Sequence, residues 1–544
     1  MSPATAKLLT KKNLIALLLL LAALLGGLAE LCGWLLPTLS WPFTVNRELP
    51  FLGVSAQSCP QLAWLASPEE GVIHWFGWLA MLLPAGAGIY LLLRSQHSLR
   101  LPPEYRRRLA RFRSFRRGYW SLLVLLGLLV LAGLDQCVVG KRALFVSYEG
   151  HWYFPAFTRA VIPGEVFGLK GEEAHAEAPY RKLAEHEGEH GMPSCVIMPP
   201  VPYDPTMDAV PFPVEELEMH GGRLCDAEGK PVDGQVCRLD EHGQPCLRMR
   251  YRRGLPDGLA QGWSADRREV YSAHYEQGRL LDERYVGEGS RREFLREAER
   301  RAPVRVYYHP APPLTGGHLL GTTSQGADML AYLYGGLQVN IKAALFYLPV
   351  TYAIGLTMGM LMGYIGGKFD LLSQRVIELL CQLPFLFVVM VVSDLVPLAW
   401  RGTFLMLSLL SLLGWMHMSY LIRAATLREK TREYVAAARV MGAGSLHILH
   451  RHILPNLTSI IVTLVPFSVA GVILSLASLD YLGFGVPDTY ASWGRLLNEG
   501  LARLSSPWLV SCAFGALVLA LLLVTFIGEA IREAYDPRRY TYYE

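Results

Sequence analysis

The sequence predicts a mainly α-helical polytopic membrane protein, with about eight transmembrane helices and a β-rich extracytoplasmic insertion. Three observations predict it. Of the 544 residues 52% are hydrophobic, and these are concentrated in long runs rather than scattered. Eight runs are about twenty residues long, the length that crosses ~30 Å of hydrocarbon as a helix. One long polar stretch, about 140–325, interrupts them with turn residues and short alternating segments. Net charge is only +4, so no basic field argues for nucleic acid, and the expected surroundings are a lipid bilayer.

The runs are 14–36, 72–93, 119–139, 343–364, 376–399, 403–422, 457–480 and 508–530. The segments between them give the orientation. Residues 94–118 hold nine arginines against one glutamate, 422–455 carry six Lys or Arg, and Arg532, Arg538 and Arg539 lie after the last run. The excess of Lys and Arg in short loops predicts that all three face the cytoplasm, and eight crossings then put both termini there. Lys7, Lys11 and Lys12 ahead of an apolar run also resemble a signal peptide. The run continues through Trp34 to Pro37, and Leu31-Cys32 does not suit a lipoprotein cleavage site, so it is read as a retained span. The resulting organisation is an added two-span region with a basic linker (1–118), a first core span (119–139), the outside region (140–325) and the remaining core (326–544).

The outside region opens on a β-like stretch, "RALFVSYEGHWYFPAF" (142–157), and passes a Pro-rich turn, "MPPVPYDP" (198–205). Part of it, about 219–290, repeats. "GKPVDG" (229–234), "GLPDG" (254–258) and "GRLLDE" (278–283) recur at 24–25 residues, and Leu239 and Trp263, Leu247 and Tyr271, and Tyr251 and Tyr275 correspond. Glycine turns between short alternating runs predict hairpins. These units resemble degenerate MORN-type repeats.

The nine cysteines form no C-x-x-C pair. Cys32, Cys137, Cys381 and Cys512 lie in apolar runs, where a thiol acts as a small hydrophobe. Cys195, Cys225, Cys237 and Cys246 lie outside and could pair in three ways, with Cys59 left over, so at least one disulfide is expected.

The stretch "AEHEGEHGMPS" (184–194) has the H-E-x-x-H spelling of a zinc protease at His186–His190. That chemistry needs both histidines on one stable helix face. Gly188 sits inside the motif, Gly191 follows directly, and Pro193 comes two residues later. Glycine costs about 1 kcal/mol and proline about 3 kcal/mol in a helix interior. A solvated acidic loop is therefore expected, with no metal site assigned and no catalytic residue.

The informative segment is "REYVAAARVMGAGSLHILHRHILPNLTS" (432–459). Glu433 begins an alanine-rich helix, Gly442 and Gly444 turn the chain, and a second helix leads to Pro455. Small residues here leave a shallow surface on which another protein can close. The segment resembles the EAA loop of ABC importer permeases, E-A-A-x3-G-x9-I-x-L-P. Ala436, Ala437, Ala438, Gly442, Leu454 and Pro455 match in order, with Ala436 in the glutamate slot and His452 in that of the first isoleucine. "RHILPN" is familiar from the dipeptide/oligopeptide branch.

Other segments resemble that branch in the same order: "GTTSQGADMLAYLYGGLQVNIKAAL" (321–345), "GYIGGKFDLLSQRVIELLCQLP" (363–384), "LDYLGFGVPDTYASWGRLLNEG" (479–500) and Asp536-Pro537. The start of the outside region and "RRGYWS" (116–121) look like larger permeases of the microcin C type. Gly355, Gly359 and Gly363 are spaced for close helix packing. Glu378, Gln382, Asp394 and His417 are polar residues in or near spans and so pathway candidates, although the pathway itself stays unassigned.

No G-x-x-x-x-G-K-[ST] occurs, so no phosphate-cradling loop is present to bind ATP. The resemblance implies a non-enzymatic permease subunit for peptides or peptide-like compounds, in the inner membrane of a Gram-negative bacterium. It also implies a second permease, ATPase subunits holding ATP and magnesium, and a periplasmic solute-binding protein. The alternatives are a membrane-anchored sensor and a zinc-dependent membrane protein using the large loop.

Overall fold

The computed structural model describes residues 11–36, 40–48, 53–55, 65–67, 72–93, 103–188, 193–206, 208, 211–264, 266–287, 289–396 and 402–535. Lys7, Cys59, Glu189, His190, Asp536, Pro537, Arg538 and Arg539 lie outside the described residues. The chain divides into two compact units, Met1–Met207 with Ala331–Glu544, and Asp208–Leu330.

The first unit is built on helices, most of them apolar. They are α1 (Lys11–Cys32), α2 (Trp75–Leu93), α3 (Pro103–Ser114), α4 (Arg116–Gly133), α5 (Met329–Ile365), α6 (Gly367–Gln382), α7 (Phe385–Leu395), α8 (Thr403–Lys430), α9 (Glu433–Val440), α10 (Leu454–Tyr481), α11 (Trp493–Ala502) and α12 (Pro507–Tyr535). Among the described residues six helices are long and apolar enough to cross a membrane, or seven if a bent pair counts as one span. The sequence predicts eight, and two places account for the difference. The run 376–399 is not one straight helix: α6 and α7 meet at 80°. Leu383 is extended (φ −73°, ψ 123°) ahead of Pro384, as expected where a proline excludes helical geometry from the residue before it. The run 14–36 does form a helix, but its described apolar part, Leu19–Cys32, is short.

Close approach at glycines sets the core. A Cβ on Gly359 would lie 2.7 Å from the Ser419 carbonyl oxygen, and one on Gly363 2.7 Å from Thr426 Cβ. Gly355 faces Met418 at 3.3 Å. The three glycines therefore seat α5 on α8, as their spacing predicts. In the stretch 479–500, Asp480 accepts from the Val486 amide (2.7 Å) and from the Ser492 hydroxyl. A Cβ on Gly485 would strike that carboxylate, and one on Gly494 would strike the Ala477 carbonyl. Those glycines let the turn close over Asp480 and direct α11 back along α10.

The added N-terminal helices are joined to the rest of this unit by a fully buried carboxylate. Glu30 takes Arg47 at 2.9 Å and Arg159 at 2.8 Å, with His74 Nε2 at 3.7 Å. Residues 140–206 form a small sheet, His151–Tyr153, Phe145–Tyr148 and Cys195–Ile197, over Phe167, Tyr180 and Leu183. A helix over Tyr180–Glu185 stops at His186, and Gly188 has φ +81°. The zinc-protease spelling thus starts at a helix end, not within a helix.

The second unit is a seven-stranded antiparallel sheet. Five consecutive strands form a meander: Gly234–Leu239, Pro245–Arg252, Leu255–Trp263, Glu269–Glu276 and Arg279–Tyr285. One face is covered by the helix Arg291–Glu299, whose Phe294 and Leu295 pack on Leu247 and Tyr271. The repeat is visible in the turns. Arg253-Gly254 and Gln277-Gly278 all have positive φ, as two-residue hairpin turns of type I′ require. The Gly254 amide donates to Val232 (2.9 Å) and the Gly278 amide to Pro256 (2.7 Å). Asp233 accepts from the Arg253 amide and Asp257 from the Gln277 amide, again 24 residues apart.

The expected disulfide is not present: Cys195, Cys225, Cys237 and Cys246 are all free. Cys225 and Cys237 are buried within the sheet unit, and Cys195 belongs to the other unit. Cys246 Sγ lies 3.0 Å from the Arg238 carbonyl oxygen. Burial pushes the Cys237 and Cys246 thiols up, which keeps them protonated and inert.

Two outcomes follow from this packing. Gly359→Leu has no space at the α5–α8 contact and should destabilise the protein by about 2 kcal/mol or more, read as a lower unfolding temperature in detergent. The second concerns Glu177. Burial alone would raise its pKa, but the Lys141 hydrogen bond and the Arg142 charge more than offset this and hold it below the usual carboxylate range. A depressed folded pKa stabilises above the unfolded value of about 4.3 and is lost as pH falls through the folded value. Acidification below about pH 4 should lower the unfolding temperature less in Glu177→Gln than in the wild type.

Candidate functional site

The segment 432–455 forms the two-helix element that its glycines predict. α9 ends at Met441, and Gly442 has φ +84°, a left-handed conformation that favours glycine. Ser445–Ile448 restarts the helix, a π-helical turn covers Leu449–Ile453, and Pro455 enters the first turn of α10, where its missing N–H costs nothing. π-Turns are rare and cluster at functional sites.

The two faces of this element differ. Val435, Ala438, Ile448, Leu449, Ile453 and Leu457 are buried in one cluster with Tyr352 and Met360 of α5 and Met418, Ile422 and Ala425 of α8. Leu454 packs at its margin. Glu433, Ala436, Ala437, Gly442 and Pro455 are exposed. Three large apolar side chains stand beside them on the outer surface: Val440 is 90% exposed, Met441 79% and Leu446 72%. These three are not singled out by sequence reasoning. The signal for them is the burial of Val435 and Ala438, three apart, which turns the residues around Gly442 outward.

Polar contacts tie the element to the spans. The Tyr434 hydroxyl donates to Glu429 Oε2 at 2.7 Å and accepts from Asn456 Nδ2 at 3.1 Å. One side chain thus joins the end of α8, α9 and the start of α10. Burial and the Glu429 carboxylate push the Tyr434 phenol up to about 12, so it remains a donor at neutral pH. At the end of α5, the Tyr364 ring faces Lys430 at 5.6 Å and Arg439 at 5.5 Å. Asp370 of α6 is gripped by Arg423 of α8 through two bonds, Nε–Oδ1 2.5 Å and Nη2–Oδ2 2.6 Å. The element thus touches α5, α8 and α10 directly, and α8 is bound to α6 through Asp370.

The polar residues predicted in spans are not gathered into one site. Glu378 is exposed and pairs with Arg375 at 2.6 Å, and Gln382, Asp394 and His417 are also exposed. Among the described residues no three His, Cys, Asp or Glu side chains are placed to hold a metal ion.

Residues 355–540 match the family described as the binding-protein-dependent transport system inner membrane component. The oligopeptide transport system permease protein OppC of Haemophilus influenzae is 34% identical over 229 residues, 42% of this chain and 73% of that protein. The chain belongs to this family. The permease is also 29% identical over 439 residues to the peptidoglycan transport system permease protein YejE of Agrobacterium fabrum, covering 80% and 94% of the two chains. It is 28% identical over 441 residues to the inner membrane ABC transporter permease protein YejE of Escherichia coli, covering 81% and 99%. Similarity to the longer relatives thus reaches well beyond the family core. The protein is a multi-pass inner-membrane permease component of an ABC transporter, and neither the sensor nor the zinc-protein alternative finds support.

The Asp370–Arg423 pair gives a direct check on the linkage of α6 to α8. Reversing either charge alone should cost on the order of 2 kcal/mol, because the pair is partly buried and the remaining charge loses its partner. The double reversal, Asp370→Arg with Arg423→Asp, should recover part of that loss in thermal unfolding.

Proposed function

We propose that this permease moves peptides or peptide-like compounds inward, and that the 432–455 element is the lever through which ATP hydrolysis in a separate subunit drives alternating access. The observation that carries the reading is the exposed apolar knob Val440–Met441–Leu446 on a base packed into α5 and α8. Exposed side chains of this size beside a glycine turn suit a protein partner. The substrate class is supported by the relatives, whose names speak of oligopeptide and peptidoglycan transport. In this reading the chain binds no cofactor and catalyses no reaction. ATP and magnesium sit in partner ATPase subunits, a second permease completes the pathway, and a periplasmic solute-binding protein delivers cargo. The 94–118 and 422–455 segments face the cytoplasm of a Gram-negative cell, and both chain ends share that side if α6 and α7 together cross once. The hairpin sheet at 219–290, with its MORN-like repeat, then lies in the periplasm as a docking platform for the binding protein.

Gly442→Asp tests the lever. The open surroundings of Gly442 leave room for the side chain, while the substitution strains the turn and adds charge to the contact surface. The variant should accumulate normally in membranes and lose uptake, and normal uptake would sink the assignment. Affinity purification of the tagged wild type should recover a P-loop ATPase and a second permease in stoichiometric amounts. A chain that purifies alone in mild detergent would contradict the partner set.

A further inference from the structure

We propose that Arg113 at the end of α3, with Arg116, Arg117 and Trp120 at the start of α4, forms a binding site for the phosphate headgroup of an acidic phospholipid. The two faces of α4 differ. Gly118, Ser121 and Ala132 are buried, and a Cβ on Gly118 would lie 2.2 Å from the Ala530 Cβ of α12. The opposite stripe is open: Trp120 is 63% exposed, and Leu123, Val124, Val130 and Leu131 are exposed below it. That stripe is the face of the helix turned to hydrocarbon. Arg116 and Arg117 stand four and three residues before Trp120 on the same face, and Arg113 lies in the last turn of α3, just across the break at Phe115 (φ −81°, ψ 86°). All three are exposed, and none makes an ion pair among the described residues.

Depth follows from the same geometry. Exposed tryptophan marks the headgroup level of a membrane helix. One helical turn is about 5 Å, so Arg116 and Arg117 lie about 5 Å beyond that ring. The headgroup layer is of the same thickness on each side of the hydrocarbon. No side chain caps the first turn of α4, so the positive end of its dipole adds to the three guanidinium groups. The platform is packed against α12: Phe112 is buried against Ala530 and Ala534, and Arg108 lies 4.7 Å from the Tyr535 ring centroid. An unneutralised arginine cluster that continues a lipid-facing stripe fits an anionic headgroup with its acyl chains lying along Leu123 and Val124.

The test uses the full chain, purified in detergent and stripped of lipid, titrated with phosphatidylglycerol or phosphatidylcholine and read by native mass spectrometry. Phosphatidylglycerol should bind in preference, and less so as salt rises. At about fivefold per arginine, R113Q/R116Q/R117Q should lose on the order of a hundredfold of that preference. R107Q, an exposed arginine two turns farther out on α3, should leave it nearly unchanged. Three results would overturn the proposal: no preference in the wild type, which needs no variant to fold; an undiminished preference in the triple variant; or an equal loss in R107Q. Loss of a co-purifying ATPase from the triple variant, with lipid preference intact, would assign the surface to a protein instead.

Discussion

At Gly359 the backbone of α5 comes so close to the Ser419 carbonyl of α8 that no side chain fits between them. Much of the membrane unit depends on that contact. In lipid there is no hydrophobic drive to bring helices together, so association rests on van der Waals contact and interhelical hydrogen bonds. Glycines every four residues make the contact continuous along one face. With α5 and α8 held as one body, Tyr352 and Met360 align with Met418 and Ile422 to make the floor on which the 432–455 element sits. A loosely packed floor would absorb a displacement of α9, whereas a close-packed one passes it on.

The element adds polar constraints to this floor. Tyr434 spans Glu429 and Asn456, and Arg439 and Lys430 share the Tyr364 ring. Together these contacts join α9 and its flanks to the ends of α5, α8 and α10. Among the described residues the apolar knob at Val440, Met441 and Leu446 stays exposed. Division of the segment into an anchored face and an open face is what a lever between two proteins needs.

Much of this was legible in the sequence. Helix length and composition located the spans, glycine spacing located the α5–α8 contact, and Gly442 and Gly444 marked the break between the two helices of the element. The hairpin turns at 253–254 and 277–278 fell where the repeated glycines put them. What stayed hidden required three-dimensional proximity. Leu383-Pro384 bends an apolar run that hydropathy alone treats as one span, because hydropathy averages over a break in direction. The four outer-loop cysteines looked like partners by count, yet pairing is a matter of Cβ geometry that spacing does not encode. The knob residues are ordinary hydrophobes in a hydrophobic sequence, and only their exposure distinguishes them.

Glu30 shows the same limit from the other direction. In sequence it is one acidic residue near the end of an apolar run. In the structure it is a fully buried carboxylate shared by Arg47, from the segment after α1, and Arg159, from the small sheet region, at hydrogen-bond distance. A buried charge is tolerated only where its partners are in place, since removing one leaves the others uncompensated at a cost of several kcal/mol. Helices α1 and α2 are therefore not a loosely tethered addition. Through Glu30, Arg47 and Arg159 are held by one carboxylate.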